Sequence, residues 1–319
     1  GLLYHLEGLY KATQAGADSW AGISPNYGYT EFKYGTGNLV MEIRPITPHL
    51  GAEVYDVDLS SSVSDAEFAV LQQAFLDWSV LVFRGQDLDQ CQHKSFASRF
   101  GELHTHPLHK ERSIKDPFVL TVNTDADSNY TAGDGWHTDV TCDAFPPMGS
   151  MLYVTEVPEG GGGDTLFANM YLAYDLLSDT LKEMISGLIG IHDGGLSYVG
   201  AYKSTPPQGG YPRNEHPVVV THPETGRKLL YVNAGFTTRI KGLHAEESRA
   251  LLDFLFRHIN STPKLTARVQ WQPGTLTFWD NRCTQHHAVW DYFPHSRYGE
   301  RVSIVASERP SANPVTSLH

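Results

Sequence analysis

Cysteine is scarce in this sequence: Cys91, Cys142 and Cys283 are the three present among 319 residues. They are too few and too scattered for a disulfide framework or a cysteine zinc site. Basic residues are also short, with 24 Lys and Arg against 36 Asp and Glu and a net charge of −12. That balance argues against a general nucleic-acid binder, which would carry a basic face. No run approaches 18 consecutive apolar residues, so no membrane-spanning helix is expected. The first residues show no basic n-region followed by an apolar stretch, so no secretory signal is expected either. The terminal Ser-Leu-His departs from the peroxisomal Ser-Lys-Leu signal. Charged residues amount to 19% against 40% apolar, so a chain of this length can bury a large core, as one large domain or two modest ones. What is abundant is histidine, at 16 residues. Histidine is the commonest metal ligand, which makes metal chemistry the first thing to test.

Residues 1–38 are rich in Gly, Tyr and Ser without periodicity and read as an irregular arm, packed through Trp20 and its tyrosines. Residues 40–46 and 52–59 read as strands. Ser64-Asp65-Ala66-Glu67 is a capping box, and Phe68, Leu71, Phe75 and Trp78 follow at helical spacing. A buried strand over 80–83 and a helix over 89–100 come next. Strand signals then dominate: 119–122, 151–154, 165–167, 218–221, 229–232, 267–271, 276–279 and 302–307. Helices are expected over 171–186 and 246–259. Many strands at uneven spacing with few helices suit a mostly β fold with flanking helices, a sandwich or jelly roll. A doubly wound parallel sheet would alternate strand and helix more regularly. No Gly-x-Gly-x-x-Gly follows a strand. The four glycines Gly160 to Gly163 lack a Lys-Ser/Thr ending, so they read as a turn and not a phosphate loop.

His137 and Asp139 are two residues apart. On an extended strand they would face the same side and could meet one ion. A second histidine, from the Asp280 to Ala288 segment after a strong strand, would complete a two-histidine, one-carboxylate set. Three ligands on one face of an octahedral ion leave three positions open, which suits non-haem iron(II) binding a cosubstrate together with dioxygen. Zinc is the alternative metal, although structural zinc prefers closed tetrahedral sites. Arg297 lies eleven residues after His286, and Arg301 four beyond it. The planar arginine fork matches carboxylates, which suggests an anionic cosubstrate held at both ends.

Five segments in order make the chain resemble the taurine dioxygenase (TauD/TfdA) family of Fe(II)- and 2-oxoglutarate-dependent dioxygenases. They are Phe100-Gly101-Glu102-Leu103-His104-Thr105-His106-Pro107, Trp136-His137-Thr138-Asp139-Val140-Thr141 and Gly162-Gly163-Asp164-Thr165. Tyr231 to Ile240 and Trp279 to His286 with Arg297 and Arg301 complete the set. The resemblance runs over about residues 40–309 and implies a double-stranded β-helix (jelly roll) core, with residues 39–319 as one dioxygenase domain.

The resemblance implies His137, Asp139 and His286 as the iron ligands, with His287 the rival for the second histidine. A carboxylate at Asp139 favours oxygenation over halogenation. Arg297 matches the arginine that grips the distal carboxylate of 2-oxoglutarate, and Thr165 the threonine that adds a hydroxyl donor. Dioxygen is the other cosubstrate; the products are succinate, CO2 and a hydroxylated substrate. His106, the backbone amide of Val140 and Arg301 match the anion-binding positions of taurine-type members, and Phe236 an aromatic wall. Two positions depart. Gly133 stands where taurine-specific members have asparagine, and His109 where they have tyrosine, which removes contacts expected near a substrate amine. Asp134 could restore one. A longer or less polar sulfonate, or an alkyl sulfate ester, therefore fits better than taurine. Hydroxylation beside the heteroatom would release an aldehyde with sulfite or sulfate. The same oxygenase acting on a carboxylate, such as a phenoxyalkanoate or natural-product acid, is the second reading. A non-catalytic metal-dependent binding protein is the third. The expected setting is a cytoplasmic homo-oligomer, dimer or tetramer, with a small anionic substrate, and neither nucleic acid nor membrane as partner. His104, His109, His216, His222, His244 and His258 read as structural or surface residues.

Overall fold

A computed structural model describes residues 32–34, 41–107, 116–201 and 203–313. The expected arm over residues 1–38 falls mostly outside them, as do Trp20 and His109. Residues 32–34 are not irregular, because they pair as a strand with residues 41–43.

Among the described residues, sixteen strands follow in order: β1 (Phe32–Tyr34), β2 (Met41–Pro45), β3 (Ala52–Tyr55), β4 (Val80–Phe83), β5 (Val119–Thr124), β6 (Gly149–Glu156), β7 (Thr165–Asn169), β8 (Ile189–Asp193), β9 (Arg213–Pro217), β10 (Val219–Thr221), β11 (Lys228–Leu230), β12 (Thr237–Ile240), β13 (Thr266–Val269), β14 (Thr275–Asp280), β15 (Thr284–Ala288) and β16 (Arg297–Ile304). Five α-helices among the described residues join them: α1 (Asp65–Trp78), α2 (Gln90–Ser98), α3 (Met170–Asp175), α4 (Asp179–Ile185) and α5 (Ala245–Asn260). The fold is mostly β with flanking helices. An eight-stranded sheet runs β1-β2-β3-β4-β14-β6-β16-β5, antiparallel except for the β3–β4 pair. A three-stranded sheet, β13-β7-β15, faces it. No helix among the described residues is long and apolar enough to cross a membrane.

Strand alternation divides the large sheet into two apolar faces. Leu81, Phe83, Met151, Tyr153, Leu276, Phe278, Val302 and Ile304 point toward α1 and α2, where the Phe75 and Phe278 rings stack 3.9 Å apart. Their neighbours Val80, Val82, Leu152, Val154 and Trp279 point the other way, onto Phe167, Ala267 and Val269 of the small sheet. One metal-ligand candidate, His286, packs against Phe167 and Trp279 of this second layer.

Helix starts follow their caps. Ser64 Oγ accepts from the Glu67 amide, and Glu67 reaches back to the Ser64 amide at 2.8 Å. Asp89 and Gln92 make the same box for α2. The single helix expected over 171–186 is two. The last turn of α3 closes by Leu176 N–H to Leu172 O, and Ser178 Oγ then caps α4 through the Leu181 amide. A local cap overrides a continuous apolar pattern here. The strand expected over 302–307 starts five residues earlier, at Arg297, and stops at Ile304. Gly299, where a Cβ would lie 2.8 Å from Tyr153 O, allows that early start against β6.

His93 on α2 is buried beside the Tyr153 ring, and burial pushes its pKa down to about 4. The unfolded chain binds this proton below about pH 6.5, whereas the folded chain does not until about pH 4. Stability from this group is therefore full above pH 6.5 and lost as pH falls toward 4, by at most about 3 kcal/mol. Urea midpoints measured from pH 8 to 4 should hold steady to about 6.5 and then decline. His93→Gln should flatten that decline, and an unaltered slope would remove His93 from the acid response.

Candidate metal centre and anion pocket

His286 lies on β15, and its backbone pairs reciprocally with His137: N–H to O distances are 3.0 and 2.8 Å. This isolated bridge, and not a continuous strand, brings the two histidines together. Asp139 sits in the turn just after it, so the expected extended His-x-Asp strand is replaced by a bridge and a turn. The outcome for the side chains is the one expected. The ligand atoms of His137, Asp139 and His286 all lie within 4.8 Å of one another. Asp139 Oδ1 is 3.8 Å from His137 Nε2 and 4.0 Å from His286 Nε2. His287, the rival, alternates to the other face and meets Asp134 at 3.1 Å. That pairing also takes Asp134 away from the amine contact suggested for it.

The protonation pattern suits a cation. His137 Nδ1 donates to Gly135 O at 2.8 Å, leaving Nε2 with its lone pair toward Asp139. The His286 ring is fixed by packing, 4.9 Å from Trp279 and 5.9 Å from Phe167 between centroids. Burial pushes both imidazoles down, so they are neutral near pH 7. Burial alone would raise the Asp139 carboxyl. Arg301, then His286 and His137, outweigh it and hold the carboxyl well below the usual range. An ionised carboxylate and two neutral imidazoles form a donor set that fits a divalent ion with open positions.

Both arginines lie on β16, four residues apart and hence on one face. Arg301 Nη1 donates to Asp139 Oδ1 at 2.7 Å, and its Nε is buried without a partner among the described residues. Arg297 is 3% exposed, with its guanidinium 5.1 Å from the Trp271 ring centroid. Its Nε and Nη2 have no hydrogen-bond partner among the described residues, and burial lowers its pKa. A buried cation with unused donors is the expected receiver of an anionic group. Gly163 makes room for it: at φ +73, an added Cβ would lie 3.0 Å from Arg297 Cδ. Thr165 Oγ1 accepts from Trp271 Nε1 at 3.0 Å, which leaves its own proton to donate. These features fit 2-oxoglutarate.

The remaining expected residues cluster beside the ligands. Buried His106 packs on Tyr198 with centroids 5.7 Å apart, and it lies near enough to Asp139 to lower its pKa. Val140 and Phe236 share an apolar cluster with Cys142 and Tyr198. Val140 has φ +53, a strained conformation for a β-branched residue. The turn is held from behind, where Thr141 Oγ1 meets His192 Nδ1 at 2.9 Å and Asn233 Nδ2 at 3.1 Å. At Gly133, an added Cβ would lie 3.1 Å from His137 Cε1. Sequence reasoning missed Ser150, Tyr198, Trp271 and Asn281. Asn281 stands inside a quoted motif, but its role depends on a contact 142 residues away.

A second buried group, His222, Asp280 and Cys283, has metal-like proximity. Its hydrogen bonds exclude that role. His222 Nδ1 accepts from the Glu224 and Thr225 amides, so Nε2 carries the proton it donates to Asp280 Oδ2 at 3.1 Å. Arg282 already neutralises Asp280 through Nε at 2.9 Å and Nη2 at 2.7 Å.

Residues 42–303 match the family described as Taurine catabolism dioxygenase TauD, TfdA family. The chain is 33% identical over 285 residues to an alkylsulfatase of Acinetobacter baylyi, covering 86% of this chain and 87% of that one. It is 35% identical over 286 residues to an alpha-ketoglutarate-dependent sulfonate dioxygenase of Saccharomyces cerevisiae, covering 85% and 68%. A crystal structure of a taurine dioxygenase from Burkholderia xenovorans superposes with TM-score 0.72 at 35% identity, over 84% of this chain and 91% of that one. With the His-Asp-His site and the two β16 arginines in place, the chain belongs to the TauD/TfdA family and is an Fe(II)- and 2-oxoglutarate-dependent dioxygenase.

Proposed function

We propose that this enzyme hydroxylates an alkyl sulfate ester or an amine-free alkanesulfonate at the carbon beside the heteroatom. The observation that carries the reading is the pair of arginines on one face of β16, half-buried Arg301 beside Asp139 and buried Arg297 under Gly163. His137, Asp139 and His286 would hold Fe(II). Arg297 and Thr165 would take the distal carboxylate of 2-oxoglutarate, and Arg301, His106 and the Val140 amide the substrate anion. When bound, iron and 2-oxoglutarate supply dioxygen activation and its reducing electrons. One oxygen atom ends in succinate and the other on the substrate carbon. The hydroxylated carbon then expels sulfate or sulfite and becomes an aldehyde.

The protein's own residues set the geometry. Arg301 neutralises Asp139 while keeping Nε for an anion. Val140, Phe236 and Tyr198 form an apolar wall that excludes water from the reacting carbon. The amine of taurine finds no acceptor at Gly133, and Asp134 is engaged by His287. The alkylsulfatase and sulfonate dioxygenase names of the relatives support the same substrate chemistry. Family resemblance is likewise what supports a double-stranded β-helix core within a 39–319 domain, and a homo-oligomer working in the cytoplasm.

A panel of alkyl sulfates, alkanesulfonates, taurine and a phenoxyalkanoate, read by succinate and by sulfate or sulfite release, tests the substrate. Medium-chain sulfates or amine-free sulfonates should exceed taurine in kcat/KM; a preference for taurine or for the carboxylate would overturn the reading. Asp139→Ala should abolish iron-dependent succinate formation, and retained turnover would remove it from the ligand set. Arg301→Ala should raise KM for the sulfur substrate by about 30-fold or more, because one partner of a charged contact is lost. Arg297→Ala should instead raise KM for 2-oxoglutarate. Equal effects of both variants on both substrates would defeat the division of labour.

A further inference from the structure

We propose that Asn281 is a positioning residue for the metal centre, whose side-chain amide holds the ligand Asp139 in line with His137 and His286. The inference rests on the ligand set proposed above.

The stretch 137–139 runs alongside 281–286. At one end His137 and His286 pair through their backbones. In the middle, Thr138 Oγ1 donates to Thr284 O at 2.9 Å. At the other end the chain turns away toward strained Val140, and backbone pairing ceases. There the Asn281 side chain substitutes for a strand. Its Oδ1 accepts from the Asp139 amide at 2.8 Å, and its Nδ2 donates to Asp139 O at 3.0 Å. The second Nδ2 proton goes to Pro147 O at 2.9 Å. Asn281 is 0% exposed, so these bonds do not exchange with water. A primary amide is the side chain that offers one acceptor and two donors at this length. Aspartate has the shape but no donor; alanine has neither.

Asn281 is itself anchored on both sides. Its amide donates to Met148 O at 3.0 Å. The preceding Asp280 accepts from His222 and from Arg282 through its backbone and side chain, and its own amide donates to Ser79 O. The Asp280–Arg282 ion pair thus fixes the turn that carries Asn281, and Asn281 fixes the ligand. Ser150 Oγ, 3.1 Å from Asp139 Oδ2, and Arg301 set the carboxylate at its tip, whereas Asn281 sets its root.

The test is Co(II) binding to metal-free protein, followed by calorimetry and visible absorbance, with circular dichroism as a check of folding. Wild type, Asn281→Ala, Asn281→Asp, Asp139→Ala and the Asn281→Ala/Asp139→Ala double variant are compared. Asn281→Asp keeps shape and the accepted bond, so it carries the test if Asn281→Ala does not fold. The expected result is a loss of about 10- to 100-fold in Co(II) affinity for the Asn281 variants, with a changed absorbance envelope. In the Asp139→Ala background, the Asn281 substitution should alter affinity by less than about 2-fold, because the residue it acts through is gone. Equal losses in both backgrounds would show a general packing role and overturn the proposal. So would wild-type affinity and spectrum in a folded Asn281 variant. Wild-type protein binding Co(II) no better than Asp139→Ala would instead defeat the ligand set, and this proposal with it.

Discussion

The Asp139 carboxylate is buried and ionised between two imidazoles, and most of the site's construction follows from that one charge. Removing a lone carboxylate from water costs several kcal/mol even after the protein relaxes. The fold compensates with contacts from distant parts of the chain. Arg301 comes from 162 residues away and supplies the counter-charge. Ser150, on the neighbouring strand, donates to the other oxygen and is linked at 2.8 Å to Ser303. Each partner needs β6 and β16 adjacent and in register, and the Ser150–Ser303 pair in the ladder is that register. The large sheet is therefore the frame on which the acidic ligand can stay charged.

The same constraint explains the histidines. Neutral imidazoles tolerate burial where imidazolium would not, and burial keeps His137 and His286 neutral. The Gly135 carbonyl selects the tautomer of His137, so the nitrogen left for a cation is Nε2. His286 has no such bond, and its buried Nδ1 is without a partner among the described residues. Its orientation comes from Trp279 and Phe167, which makes the apolar layer between the sheets part of the candidate metal centre.

What was legible in the sequence was local or carried by motif. Capping boxes at Ser64 and Asp89 announce their helices because each is closed within four residues. The five segments contain the candidate ligands and both arginines. The less legible features depend on register between distant strands. Asn281 and Ser150 look like ordinary polar residues until strand order sets them against Asp139. Arg297 and Arg301 were visible as a spacing, but their common strand was not, since Gly299 and the charges around it mask the period-2 pattern. The break between α3 and α4 was written in Ser178-Asp179, yet the apolar pattern runs straight through it. Asp134 was offered an amine contact on proximity in sequence; the side to which it faces is decided by His287 across the bridge.

One strand holding both arginines has a chemical consequence. Four residues of extended chain separate their Cα atoms by about 13 Å. The two forks are held at different places, Arg301 at Asp139 and Arg297 over Trp271, which suits two separate charged ends better than one small carboxylate. Arg301 is tied to Asp139 and so lies beside the candidate ligands. Arg297 sits beneath Gly163 and Trp271, at the remote end, where a dicarboxylate reaching out from the ligands would finish. A shift of β16 along β6 would move both forks together and separate Arg301 from Asp139. The placement of both arginines and the charge state of Asp139 are thus coupled through the register of a single strand pair.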